Sequence, residues 1–392
     1  MIKKYFVEIR GCNFHNKGDV LMAESIIQRL NEERSDIRFV SRTLNTHNSL
    51  LNQKDLGKCL TSRPSFSSQK LGKLIIKYAI NFFLIKWLLV FVFKFVPENK
   101  IDGIIDVCGF SYGDFWGNQN LKSDLEYYTN AKKRGIPIIL MPKSFGPFTN
   151  LTQKRNMKKL WNACTLAFSR DSQSTKFLMS CGIKNIETFP DYTYDAKPYL
   201  DSKYRRLLKR PIIIPNYRMV DTGRKISFNS YINFLAGIYK LFYVEFSKPV
   251  ILIHDSKKDL LVANALKKSL GDNVLIIRES VARKVKGIIV NSSIVYSDRL
   301  HGAISAGLYS VPIISLGWSF KYKEMLNDFG LPWAQIKRSN NSQMLECATN
   351  IVINYKKKSK FENSNYIRLI QQRNFLMWNK IFLQLSKSLP KI

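Results

Sequence analysis

Short apolar runs alternate with longer stretches of helical periodicity along the chain. KYFVEI (residues 4–9) alternates apolar and polar positions as a strand does. GCNFHNKGD follows as a loop, and VLMAESIIQRL places its apolar residues at helical spacing. IRFVSR supplies the next strand, and IDGIIDVCG a third that runs into the glycine-rich GFSYGDFWG. A helix is expected around Leu121–Arg134, then the strand in IPIILMPKSFGPF. KKLWNACTLAFSRD reads as a helix giving way to a short strand that ends at Arg170 and Asp171. SQSTKFLMSCG is a short helix stopped by Gly182. This alternation predicts a parallel, doubly wound α/β sheet.

After a polar, basic stretch, KPYLDSKYRRLLKRP, the pattern restarts. RPIIIPNYR, KPVILIHD, NVLIIRES, GIIVNSSIVYSD and VPIISLGW read as strand segments. FNSYINFLAGIYKLFYVEF and DLLVANALKKSL read as helices, and NYIRLIQQRNFLMWNKIFLQL as a long terminal one. At 392 residues the chain exceeds one usual core. The expected organisation is two Rossmann-like α/β domains: residues 1–200, and residues 206–392 with a terminal helix over 365–387. The boundary falls near residues 196–210. In such folds ligands bind where strand C-termini face a crevice, here the cleft between the domains.

One segment breaks the pattern. LIIKYAINFFLIKWLLVFVFKFVP, Leu74 to Pro97, is long and apolar enough to suggest a membrane span, yet Lys77, Lys86 and Lys94 interrupt it. Each lysine at the centre of a bilayer costs about 2.5–3.5 kcal/mol. Three placements fit: a buried helical insertion near 71–97 in the first domain, a helix lying in the membrane interface with its lysines snorkelling, or a span. Phe, Trp and Lys beside aliphatics tilt the reading towards the interface.

Charge adds a second pointer. Sixty-two Lys and Arg against 29 Asp and Glu leave +33, which attracts anions: nucleic acid, an anionic membrane face or phosphorylated small molecules. Richness in Lys, Asn and Ile together also fits plain genome composition. The basic residues are dispersed and no zinc-finger, RRM or KH signature occurs, so nucleic acid is not expected as a partner. The six cysteines (12, 59, 108, 164, 181 and 347) are scattered without C-x-x-C spacing. That excludes a disulfide scaffold and fits a reducing cytosol. Four separated histidines with no Cys/His cluster argue against a structural metal site.

The loops at the expected strand ends carry the chemistry: GCNFHNKGD, CGFSYGD, MPKSFGPF, SRDSQS and PDYTYD in the first domain, PNYR, HDSKKD, DRLHGA and GWSFKYK in the second. Alone, each is ordinary; Asn16 to Asp19 could be a turn and a helix cap. No G-x-G-x-x-G fingerprint or Walker loop is present. As an ordered set, however, the chain resembles the polysaccharide pyruvyl transferase family over roughly residues 5–335. The matching pieces are NKGD, the glycine loop before residue 115, SFGPF, SRDSQS, FPD and SDRLHGAISAGLYSVPIISLGWSFKYK. One departure is Lys143, standing where many members have Gln before the G-P loop.

The resemblance implies a GT-B glycosyltransferase-like fold, with the acceptor on the first domain and the donor on the second. It implies transfer of a pyruvyl group from phosphoenolpyruvate to a glycan or lipid-linked oligosaccharide acceptor, giving a ketal, with no resident cofactor and no metal. Arg299 would hold phosphate or carboxylate, His301 would be general acid or phosphate contact, and Arg170 and Lys321 would be further anion clamps. Asp19 and Asp114 would orient or deprotonate acceptor hydroxyls. Leu300, Asn16, Gly18, His15 and Lys143 complete the expected lining. Two alternatives remain: a glycosyltransferase using a nucleotide sugar, and a non-catalytic, membrane-docked subunit of a polysaccharide assembly complex. The expected location is cytoplasmic, with peripheral attachment to an anionic inner membrane face.

Overall fold

The computed structural model describes residues 4–42, 56–60, 96–220, 226–255, 257–357 and 363–390. Among them, two parallel sheets are formed. The first contains β1 (Tyr5–Arg10), β2 (Ile37–Ser41), β3 (Leu56–Leu60), β4 (Val96–Pro97), β5 (Gly103–Asp106), β6 (Phe110–Tyr112), β7 (Ile138–Phe145), β8 (Leu166–Ser169) and β9 (Glu187–Thr188), in the order 4-3-2-1-5-7-8-9 with β6 beside β7. The second contains β10 (Ile212–Ile214), β11 (Val250–Ile253), β12 (Leu275–Arg278), β13 (Val295–Ser297) and β14 (Ile313–Ile314), in the order 12-11-10-13-14.

The helices are α1 (Lys17–Glu33), α2 (Gln119–Lys133), α3 (Leu151–Ala163) and α4 (Ser172–Ser180) in the first half. In the second half they are α5 (Phe228–Glu245), α6 (Lys257–Leu270), α7 (Ala282–Val290), α8 (Leu300–Gly307), α9 (Phe320–Asp328), α10 (Asn341–Lys357) and α11 (Ser364–Ser388). Strand alternation explains why the first sheet is covered on both faces. Ile139 and Met141 of β7 join α1 in one core cluster, while Ile138 and Leu140 join α2 and α3 in another. In the second sheet β10 and β11 are buried at every position, as continuous apolar strands of a covered parallel sheet should be.

Two expectations need adjustment. GIIV, read as the start of a strand, is the last turn of α7; Ala282, Val285, Ile288 and Ile289 bury one helical face, and a four-residue apolar run has no period of its own to reveal this. The terminal helix, grouped by sequence with the second domain, crosses back to the first. Met377, Trp378, Ile381 and Leu385 pack with Tyr5, Val7 and Leu30, whereas Ile370 stays in the second core. Its 25 residues reach far enough to serve both, at roughly 1.5 Å per residue. The apolar segment Leu74–Pro97 lies outside the described residues except for its last two, and no helix among the described residues is long and apolar enough to cross a membrane.

Candidate active site

Every loop that forms the cleft leaves the C-terminal end of a parallel strand. α1 begins at Lys17, three residues earlier than the apolar pattern suggests, because Asn16 is its cap: the Asn16 side chain accepts from Gly18 N at 2.9 Å. Asp19 is thereby released from capping. It sits in the first helical turn and faces the cleft. Gly18 is the seat of His301. A Cβ at residue 18 would overlap the His301 imidazole, so the first domain approaches the second this closely only with glycine there.

The second-domain side is built around Asp298. Its carboxylate accepts from Tyr231 Oη (2.6 Å), Tyr296 Oη (2.5 Å) and Gly317 N (3.1 Å), and its carbonyl from Asn216 Nδ2 (2.7 Å) and Tyr322 Oη. This one buried residue ties the loops after β10, β13 and β14 together. Burial pushes its carboxyl pKa up. Arg299 does not pair with its neighbour Asp298. It donates through Nε and Nη2 to Asp259 (2.9 and 2.7 Å) and through Nη1 to Asp255 (2.6 Å). Burial alone would lower the Arg299 pKa; Asp259 and Asp255 more than offset it, so the guanidinium stays charged. Three of its five N–H groups are therefore engaged, leaving two for a ligand.

His301, in the first turn of α8, points Nε2 at Asp191 Oδ2 across 3.5 Å, longer than a good hydrogen bond. Arg170, from the loop after β8, holds the same carboxylate through Nη1 (3.2 Å) and Ser144 Oγ through Nη2 (2.9 Å). Burial would raise the Asp191 pKa, but His301 and Arg170 hold it well below the usual carboxylate range. Asp171 caps α4 by accepting from Ser174 N at 2.7 Å.

Two groups in the cleft are poised near neutrality. Burial, reinforced by Asp255, pushes the Asp19 carboxyl up to about 7. Burial, reinforced by Arg170 and Arg218, pulls the Lys321 ammonium down to about 7. Lys321 is only 9% exposed and forms no ion pair among the described residues; its Nζ rests over Phe110 at 4.3 Å and Trp318 at 5.1 Å. An acid and a base with pKa values near the working pH are what proton transfer requires.

Asn16, Asp19, Arg170, Arg299, Leu300, His301 and Lys321 thus line one cleft between the domains, with Gly18 packed beneath. Three expected residues lie elsewhere. His15 is exposed, off the cleft lining. The Asp114 carboxylate accepts from Thr149 N (3.1 and 3.2 Å) and fixes its own loop. Lys143 is buried in the first domain, with Nζ 2.8 Å from Asp106 and over the Tyr112 ring at 5.0 Å. Its place on β7 turns it into the sheet interior, away from the crevice. Arg218 and His254 also line the cleft, and Asp191, Asp255 and Asp259 hold its charged groups; the loops PNYR, PDYTYD and HDSKKD carry them, and a position just beyond a strand end is their signal in the sequence. Among the described residues, no group of three or more His, Cys, Asp or Glu could hold a metal ion.

A family model described as polysaccharide pyruvyl transferase matches residues 16–319. No curated protein matches. Among solved structures, UDP-N-acetylglucosamine 2-epimerase from Rickettsia bellii superposes with a TM-score of 0.55 at 11% identity, covering 99% of both chains. The Methanocaldococcus jannaschii UDP-GlcNAc 2-epimerase in complex with UDP-GlcNAc and UDP gives 0.52 at 16%, covering 96% of this chain and 100% of that one. Sucrose-phosphate synthase from Thermosynechococcus elongatus gives 0.54 at 9%, covering 98% and 100%. The two facing α/β domains are the GT-B arrangement, and at these identities the likeness concerns the fold alone.

Proposed function

Since this chain belongs to the polysaccharide pyruvyl transferase family, we propose that it transfers a pyruvyl group from phosphoenolpyruvate to two hydroxyls of one sugar of a glycan precursor, forming a cyclic ketal and inorganic phosphate. The observation that carries this reading is the convergence of Asp19, Arg170, His301 and Lys321, drawn from both domains, on one cleft. The donor bears a phosphate and a carboxylate. Arg170, Lys321 and the N-termini of α8 and α9 offer positive charge to both.

In the proposed reaction His301 gives a proton to the methylene carbon of the donor, making a methyl group and leaving C2 electron-deficient. The first hydroxyl adds to C2 and its proton passes to Asp19. The C2–O bond to phosphate then breaks, phosphate departs with a proton, and the second hydroxyl closes the ring as it loses its own. One proton is gained at carbon and one by phosphate; two are lost from the hydroxyls. The reaction supplies its own leaving group and calls for no resident cofactor. Asp191 acts as the group that orients His301, and Arg299, held by two aspartates, fixes the start of α8 and keeps its remaining N–H groups for the anion.

Calorimetry with phosphoenolpyruvate and with a UDP-sugar tests the donor. Binding of the UDP-sugar alone would replace this reading with nucleotide-sugar glycosyl transfer. His301→Gln separates the two roles of the imidazole: normal donor binding without turnover assigns the proton, and lost binding assigns the phosphate. If the double change of Arg299 and His301 to alanine left polymer pyruvylation intact by mass spectrometry of the cell's polysaccharide, the enzyme reading would fall. With a net charge of +33, an anionic membrane surface is the proposed place of work; failure to float with anionic vesicles would remove that part.

A further inference from the structure

The cleft offers about 330 Å³, within the roughly 300–1,000 Å³ range of ligand pockets. It has room for a sugar beside a three-carbon donor, and its lining divides by chemistry. One part is charged, with Asp19, Arg170 and His301. The other is aromatic. Phe110 and Trp116, from the β6 region of the first domain, meet edge to face with ring centroids 5.8 Å apart. Phe115, 54% exposed, packs edge-on against Trp116 at 4.9 Å and reaches Trp318 of the second domain at 6.1 Å. The Arg218 guanidinium lies over Phe115, Trp116 and Trp318 at 6.0, 5.7 and 5.4 Å.

These rings are not core. Phe110, Phe115 and Trp116 belong to none of the hydrophobic clusters, and Trp318 only borders the second-domain one. Beside them two polar atoms are buried without a partner among the described residues, Trp116 Nε1 and Ser111 Oγ. Buried groups of this kind seek a hydrogen bond. Aromatic faces offer a flat apolar surface with a negative quadrupole, suited to the C–H face of a pyranose, while a stray N–H and hydroxyl suit its rim hydroxyls. Lys321, touching both Phe110 and Trp318, joins the aromatic part to the charged part.

We propose that Phe110, Trp116 and Trp318 form the acceptor subsite, on which one pyranose ring stacks with its reacting hydroxyls directed past Lys321 towards Asp19. The subsite takes walls from both domains, so it is complete only when the cleft is assembled. The reacting role of the ring rests on the pyruvyl-transfer reading; the binding of a pyranose does not.

The test uses the full chain and methyl pyranosides of the gluco, galacto and manno series, followed by tryptophan fluorescence and saturation-transfer NMR. Phosphoenolpyruvate calorimetry runs in parallel. Trp116→Leu is expected to weaken glycoside binding about 10-fold or more while donor affinity stays within about two-fold, and Trp116→Phe to stay within about three-fold of the parent. Glycoside affinity unchanged in Trp116→Leu, loss of donor affinity in parallel, or a parent that binds none of the glycosides would each overturn the assignment. A parent that binds glycosides through Trp116 but ignores phosphoenolpyruvate would keep the subsite and remove the pyruvyl-transfer reading.

Discussion

Lys321 carries a sharp trade between stability and function. Its pKa falls from 10.5 to about 7 in the folded chain, so the unfolded chain binds more protons between these values. Its cost to stability is therefore fully present below pH 7 and fades as pH rises towards 10. Lys321→Met should raise the melting temperature at pH 6 by about 1–4 °C, with the gain shrinking by pH 10. The same change should raise the KM for phosphoenolpyruvate about 10-fold or more. Asp19 has the opposite sign. It must be ionised to accept a hydroxyl proton while Lys321 must stay charged to hold the donor, so kcat/KM should peak near pH 7 and lose its acid limb in Asp19→Asn, whose remaining rate should be at least about 100-fold lower. Gly18 gives a third test. In an ordinary helix Gly→Ala gains about 0.5–1 kcal/mol. Here the added Cβ meets the His301 ring, so Gly18→Ala should lower both turnover and the urea midpoint.

At the scale of elements, the domains are joined by contacts that no single domain predicts. Glu324 of α9 accepts from Ser172 N (3.1 Å) and Oγ (2.6 Å), capping α4 from the other domain. Lys286 of α7 donates to the carbonyls of Thr193 (2.6 Å) and Ala196 (2.8 Å) at the domain boundary. α11 closes the circuit. Trp378 is buried in the first core and donates Nε1 to Asp195 at 2.9 Å. Trp378→Ala should cost about 3–5 kcal/mol, read from urea unfolding, because it leaves both a cavity and an unpaired partner. An exposed neighbour on the same helix, Leu383, should be near neutral as a control.

For the whole molecule, the charge and the cleft act together. A net +33 draws anions from a distance, and salt screens that pull within about 10 Å at 0.1 M. Raising salt from about 0.05 to 0.5 M should slow association of phosphoenolpyruvate in stopped-flow measurements by several-fold, while dissociation changes less, since the contacts inside the cleft are shielded from solvent.

The order of strands and helices, the doubling of the domain and the loops that bear the chemistry were legible in the sequence. Each depends on residues near one another in the chain: apolar period, cap residues, turn glycines, and the rule that parallel strands present their C-terminal ends to a crevice. The tertiary structure alone decided how those loops share the work. Lys143 and Asp114 occur in loops of the right kind, yet β7 turns one into the sheet and Thr149 claims the other. Arg299 is bound by Asp259 and Asp255, 40 and 44 positions away, and Asp19 is freed because Asn16 caps in its place. Burial, charge pairing and the meeting of Gly18 with His301 depend on distances between residues remote in sequence, and those distances exist only once both domains and the returning α11 are packed.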